Sequence, residues 1–429
     1  MKQKLSLTPL EKSWILYDIG NSAFILLVST LIPIYFNALA SSGGLNESLY
    51  LAYWGYAGSI ATIVVAFIGP ICGTLADHKG YKKPLFLLCM ALGAVGCSVL
   101  GFAPGWLSFR VIFVIAKIGY NSANVFYDAM LPEVTTTEKM DDVSSFGYAF
   151  GYIGSVIPFV VCLVIVLGYE AIGISQTTAM VIAFLITAAW WAVCTLPLAR
   201  HYRQTAYVET EGTPIRETFR QLGRTFREVR QQKHIFLYLL AFFFFIDGVY
   251  TIIDMATAYG TALGLDTTGL LLALLVTQIV AFPFAILFGR LAAKYDTGLL
   301  IKICIACYTG ITLYAVFLQS QWQFWLLAVL VGMFQGGIQA LSRSYLGKII
   351  PPERSGEYYG LMDICGKGAS FLGTTLVAVV SQATAGMTLR LFGMELQNES
   401  IAVGTLVVLF AIGYVLFCKA DKLNRARIR

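Results

Sequence analysis

The residues best placed to do chemistry in this chain are charged side chains inside long apolar runs. Lys117, Asp247 and Lys367 fall near the middle of such runs, counting about 1.5 Å of helix per residue from either end. A charge there costs about 2.5–3.5 kcal/mol on insertion scales, so each has to face a cavity or a counter-charge and is a functional candidate by default. Asp254 follows Asp247 by two helical turns on nearly the same face, so the two carboxylates can line one polar path. Arg110 stands in the same relation to Lys117, but near the end of its run, where a long side chain can snorkel to the headgroups. Asp363 and Lys367 are four apart with the acid first, which suits an intrahelical ion pair as well as a place on such a path. Asp18, Asn21, Asp128 and Arg343 fit either gate contacts or interfacial caps.

Enzymatic chemistry would need other parts. The three histidines, His78, His201 and His234, fall in polar breaks or at their ends, and neither an HExxH pattern nor a GxxxxGK[ST] phosphate loop occurs. No catalytic residue, metal or cofactor is expected. The nine cysteines lie in or at the ends of apolar runs and read as small core residues; Cys304 and Cys307 read as helix packing rather than redox chemistry.

The elements that position these residues follow from composition. Hydrophobic residues make up 58% and charged residues 13%, against roughly half and a quarter in soluble domains. Twelve runs are long enough to cross a hydrocarbon core about 30 Å thick: approximately 13–38, 51–74, 85–103, 106–128, 146–168, 177–198, 235–260, 269–290, 299–318, 323–343, 357–380 and 401–418. The thirty Lys and Arg residues then set the orientation. All but Arg110, Lys117, Lys367 and Arg390 fall in segments on one side, which the retention of positive charge assigns to the cytoplasm together with both termini. A cleaved signal peptide is rejected, because Asp18 and Asn21 interrupt the first run and its removal leaves an odd number of spans.

The organisation is two halves of six spans, 1–198 and 235–429, joined by a linker, 199–234. Gly73-Thr-Leu-Ala-Asp-His-Lys-Gly is echoed by Gly289-Arg-Leu-Ala-Ala-Lys-Tyr-Asp, and Pro132-Glu133 with Phe146-Gly147 by Pro352-Glu353 with Tyr359-Gly360, at nearly one offset. This is the signature of a parallel duplication. In the linker, Pro214 opens an amphipathic pattern with Ile215, Phe219, Leu222, Phe226 and Val229 on one face and five arginines on the other, a helix suited to the inner leaflet and to tethering the halves. Nucleic-acid binding would use the same charges, but a membrane surface is already adjacent, so no nucleic-acid partner is expected.

The segment from Gly73 to Lys83 resembles the major facilitator signature between spans two and three. That resemblance implies that Asp77 accepts from a neighbouring helix N-terminus or an arginine, that Gly73 allows close helix approach, and that Gly80 and Lys83 belong to the same inner gate. His78 and Tyr81 depart from the usual basic positions. A more specific set spans both halves: Ser13-Trp14-Ile-Leu-Tyr17-Asp18-Ile-Gly-Asn21-Ser22-Ala23-Phe24, Asn124-Val-Phe-Tyr127-Asp128-Ala-Met-Leu-Pro132, Ile246-Asp247-Gly248-Val-Tyr-Thr251, Gly336-Gly337-Ile-Gln339-Ala-Leu-Ser342-Arg343-Ser344 and Tyr359-Gly360-Leu-Met-Asp-Ile-Cys-Gly366-Lys367. This set resembles the Unknown Major Facilitator family, prokaryotic relatives of the autophagy-linked vacuolar amino-acid effluxers.

The resemblance implies an all-α, twelve-span transporter working by alternating access, with Asp18, Asn21, Lys117, Asp247 and Gln339 on or near the central cavity. On that footing Asp247 is expected to carry a coupling proton and Lys117 to pair with it or with a substrate carboxylate. The expected partners are a small polar or zwitterionic solute, protons and membrane lipids, with the chain a monomer in the cell membrane. A sugar or drug carrier, or a transporter-shaped receptor without flux, is the alternative; neutral groups such as Asn21, Gln278, Gln335 and Gln339 would serve a sugar.

Overall fold

The computed structural model describes residues 6–44, 47–209, 218, 224, 227–384, 389–391, 394–396 and 398–428. Helix α1 (Pro9–Ser29) starts where Thr8 and Glu11 cap each other. Thr8 Oγ1 accepts from the Glu11 amide at 3.1 Å, Glu11 Oε2 accepts from the Thr8 amide at 2.7 Å, and Pro9 occupies a first-turn position that needs no N–H. Helix α2 (Leu31–Ser42) follows a break at Thr30, where φ is −129°. Pro33 accounts for the break, since it has no N–H to give to the carbonyl of Ser29 four residues earlier.

The chain continues through α3 (Glu47–Ala76), α4 (Lys82–Leu100), α5 (Trp106–Val134), α6 (Met140–Leu167), one turn of α7 (Tyr169–Ile172) and α8 (Gln176–His201). After the long connection come α9 (Lys233–Ala262), α10 (Thr267–Ala292), α11 (Thr297–Val316), α12 (Gln321–Ile349), α13 (Ser355–Ala383), α14 (Asn398–Gly404) and α15 (Leu406–Ile428). Asp266 and Asp296 cap α10 and α11 through the amides of Gly269 and Leu299. A short antiparallel hairpin, β1 (Leu389–Leu391) with β2 (Met394–Leu396), occupies the break between runs eleven and twelve. With α1–α2 and α14–α15 each counted as one broken span, the helices are the twelve of an all-α membrane bundle. The linker helix expected from Pro214 lies mostly outside the described residues.

Among the described residues, nine spans are long and apolar enough to cross a membrane by length and hydropathy alone. Helices α3 and α13 contribute shorter apolar stretches, Ile63–Ala76 and Leu372–Ala383. Helix α5, 29 residues long, has a lower hydropathy because Lys117, Asn121, Asn124 and Asp128 dilute it. The outward surface suits lipid. Leu88, Leu92, Val95 and Val99 are exposed at helical spacing along α4, as are Ile157, Val160, Val161, Val164 and Leu167 along α6.

The chain divides into two compact units. One comprises Met1–Thr136, Phe150–Phe219 and Pro352–Gly360; the other comprises Thr137–Ala149, Arg220–Pro351 and Leu361–Arg429. The first turns of α13 thus complete the first unit, and the first turns of α6 complete the second. In the first unit, Trp14 stacks on Tyr127 at 4.2 Å and Phe24 on Trp191 at 5.6 Å, fixing α1 against α5 and α8. In the second, Tyr308 stacks on Phe410 at 5.7 Å, and Tyr238, Tyr345 and Phe417 form a second aromatic group.

Helices α4 and α5 approach backbone to backbone. A Cβ on Gly119 would sit 2.5 Å from the amide nitrogen of Gly93, and one on Gly96 would sit 2.8 Å from Ala116 Cβ. Lipid offers no hydrophobic drive between helices, so van der Waals fit of this kind holds the bundle. Gly119→Val is therefore expected to destabilise the protein by about 1–3 kcal/mol or more through overpacking. Gly310→Ala, at a position where a Cβ meets nothing within 4 Å, should be close to neutral in the same thermal unfolding assay in detergent.

Candidate functional site

In the first unit, α1 and α5 turn polar faces towards each other. Asn124 is the hub: its Oδ1 accepts from Asn21 Nδ2 at 2.9 Å and from Tyr17 OH at 3.4 Å. One turn away, Tyr127 OH donates to Asp18 Oδ2 at 3.1 Å. Asp18 and Asn21 are buried, whereas Asn124, Tyr120 and Lys117 are half-buried. Lys117, Asn121, Asn124 and Asp128 recur at spacings of four and three, which makes one polar stripe down α5. Lys117 Nζ lies 5.8 Å from the centre of the Phe113 ring, a cation–π distance. Such a stripe in an otherwise apolar helix can hold a polar solute by hydrogen bonds and one positive charge.

A second cluster of the first unit surrounds the α3–α4 turn. Asp77 is fully buried. Its Oδ1 accepts from the Gly356 amide at 2.8 Å and its Oδ2 from the Glu357 amide at 2.9 Å, so the carboxylate sits on the N-terminus of α13. The approach is possible because Gly73 and Gly356 are both glycine, and a Cβ on either would overlap the other's carbonyl oxygen. Lys82, also fully buried, donates to Glu133 Oε1 at 2.6 Å and to Ser355 Oγ at 2.8 Å, with Asp77 Oδ1 at 3.6 Å. Glu133 in turn accepts from Tyr202 OH and from the amides of Thr205 and Ala206. Gly80, at φ +81°, gives its amide to Gln204, and Lys83 Nζ reaches the Tyr202 carbonyl at 3.2 Å. Burial lifts the Asp77 carboxyl from 3.8 to about 7, with Lys82 and the two amides pulling it back only in part.

The second unit holds Asp247, fully buried on α9. Its Oδ1 accepts from the Gly373 amide of α13 at 3.0 Å and from Thr251 Oγ1 at 3.4 Å. Its Oδ2 is buried and finds no donor among the described residues. A Cβ on Gly373 would overlap Thr251 Oγ1, so this contact also depends on glycine. Near the first turn of α6, Asp141 accepts from Ser344 and Thr297 and pairs with Lys348, while Arg343 donates to Ser144 Oγ and to its carbonyl, both at 2.9 Å, and lies 4.3 Å from the Tyr148 ring centre.

The other candidates are scattered. Asp254 is exposed on α9, Gln339 half-buried on α12, Asp363 half-buried on α13 and Asp128 half-buried on α5. The side chain of Lys367 lies outside the described residues, and with it the Asp363–Lys367 pair. Among the described residues no group of three His, Cys, Asp or Glu is arranged to hold a metal.

Residues 48–422 match the family described as vacuole effluxer Atg22 like. The chain belongs to the Atg22-like effluxer family. It is 40% identical over 414 residues to the uncharacterized MFS-type transporter YxiO of Bacillus subtilis, covering 95% of this chain and 94% of that one. It is 23% identical to autophagy-related protein 22 of Coccidioides immitis, covering 76% of this chain and 67% of that one. A major facilitator superfamily transporter, FucP, crystallised in an outward conformation, shares the fold at a TM-score of 0.70 and 15% identity, over 96% of this chain and 97% of that one. This Atg22-like protein is thus a multi-pass membrane transporter with the major facilitator fold, and neither family nor fold is that of an enzyme.

Sequence reasoning quoted Asn124 and Glu133 within motifs but gave no role to them, to Lys82 or to Gly373 in this Atg22-like chain. Asn124 carried a signal, its spacing from Lys117 and Asp128; the ties of Glu133 and Gly373 are tertiary. The raised Asp77 pKa has a testable sign. The folded protein binds a proton that the unfolded chain has released, so the Asp77 contribution to stability is complete below about pH 4 and is lost as pH rises through about 7. Wild type should lose melting temperature relative to Asp77→Asn between about pH 5 and pH 8. Parallel profiles for the two proteins would contradict the assignment.

Proposed function

We propose that the chain is a proton-coupled secondary transporter that moves a small polar or zwitterionic solute, such as an amino acid, out of the cytoplasm by alternating access. The observation that carries this reading is Asp247, a carboxylate fully buried in a membrane span with one oxygen anchored by Gly373 and Thr251. The spare oxygen is where the proton binds. The α1–α5 face supplies the solute site. Lys117 pairs with a carboxylate, and the Asn21–Asn124 amides exchange their mutual hydrogen bond for bonds to the solute. The distribution of Lys and Arg supports a cytoplasmic placement of both termini and of the α3–α4 turn. The names of the relatives, vacuole effluxer and autophagy-related protein 22, support export. The two six-helix halves, 1–198 and 235–429, are the bodies that alternate.

Proteoliposome flux with an imposed pH gradient tests both roles. Asp247→Asn should abolish gradient-driven accumulation while leaving solute exchange at equal pH; full retention of gradient-driven transport would exclude the proton role. Lys117→Gln should weaken carboxylate-bearing solutes by roughly tenfold or more, the worth of a charge-assisted hydrogen bond, and spare neutral ones. An equal loss for both solute classes would rule out direct carboxylate contact.

A further inference from the structure

A pocket of about 420 Å³ opens in the second unit where α9 begins and α12 and α15 end. Lys348, Arg427, Gln232 and Asn424 line it on the polar side, with Ile350 and Pro351 as an apolar wall, and no carboxylate is among its lining residues. The neighbouring cations outside it are matched by acids: Lys302 pairs with Asp421, and Arg425 with Asp421 and Asp296. Arg427 differs. Its Nη1 donates to His234 Nε2 at 2.9 Å, a neutral acceptor that uses one of five guanidinium donors. Lys348 also lines the rim, but its charge is already matched by Asp141, and it donates to Thr297 as well.

We propose that this pocket binds a phosphate-bearing anion. The planar fork of Arg427 matches two phosphate oxygens, and the Asn424 and Gln232 amides complete the donor set. None of these residues belongs to the solute path or to the Asp77 and Asp247 sites, so the assignment is independent of the transport reading. The chemistry admits two sources, a free phosphate from solution or the headgroup of an anionic phospholipid resting against Ile350 and Pro351.

Calorimetry on the full-length protein in detergent, with inorganic phosphate and with short-chain phosphatidylglycerol as separate probes, decides the matter. Short-chain phosphatidylcholine serves as the neutral control. Saturable binding of phosphate assigns a soluble anion; saturable binding of phosphatidylglycerol over phosphatidylcholine assigns a lipid headgroup. In either case Arg427→Gln should weaken binding by roughly tenfold, Arg427→Lys by less, and Asn424→Leu measurably, in variants whose melting temperatures match wild type. The proposal is overturned if neither probe saturates, or if Arg427→Gln and Asn424→Leu bind as wild type does.

Discussion

A polar group buried inside this bundle has no water to fall back on, and the arrangement of the helices follows from where each such group finds its partner. Lys82 is fully buried and is held by Glu133, Ser355 and Asp77. Arg343 is held by Ser144 and the face of Tyr148. Asn21 and Tyr17 converge on Asn124. Each of these contacts joins different helices, so satisfying the polar group and positioning the helix are one requirement. A buried pair broken on one side costs about 3–5 kcal/mol, enough to make these ties decide helix position.

Glycine makes two of the ties possible. Both Asp77 and Asp247 are held by backbone amides of α13, at Gly356 with Glu357 and at Gly373, and each contact lies where a Cβ would overlap the opposing side. A main-chain donor cannot be exchanged for another rotamer, so each carboxylate senses the position of α13 directly. The two carboxylates share this mode of binding but differ in setting. Asp77 is bonded through both oxygens and has Lys82 beside it, while Asp247 keeps one oxygen without a donor among the described residues. The first arrangement suits a brace whose hold varies with its protonation, and the second leaves an oxygen open for the proton of the proposed mechanism.

Much of this was legible before any coordinates. Twelve spans followed from hydropathy, and the cost of intramembrane charge pointed to Lys117 and Asp247 without a structural input. Asp18 and Asn21 stood out because they interrupt an apolar run. What stayed hidden depends on which helices touch. Glu133 reads as an ordinary acid next to Pro132, and only the fold shows it receiving Lys82 and the linker amides of Thr205 and Ala206. Gly373 is one glycine among forty, and its role arises from the proximity of α9. Helix α5 was still legible as the run 106–128, although Lys117, Asn121, Asn124 and Asp128 lower its hydropathy. The β1–β2 hairpin was illegible for a different reason: three-residue strands carry too little alternation to register as a period.

Under the proposed function, the polar stripe of α5 lines a water-filled solute path as well as bonding Asn21 and Tyr17 of α1. Labelling by a charged, membrane-impermeant thiol reagent measures this directly, in a background lacking the nine native cysteines. Asn124→Cys and Asn121→Cys should react, and a transported solute should slow the reaction, while Ile115→Cys on the lipid-facing side of the same helix should stay unreactive. Failure of Asn124→Cys and Asn121→Cys to react in a folded protein, or reaction equal to that of Ile115→Cys, would contradict the account.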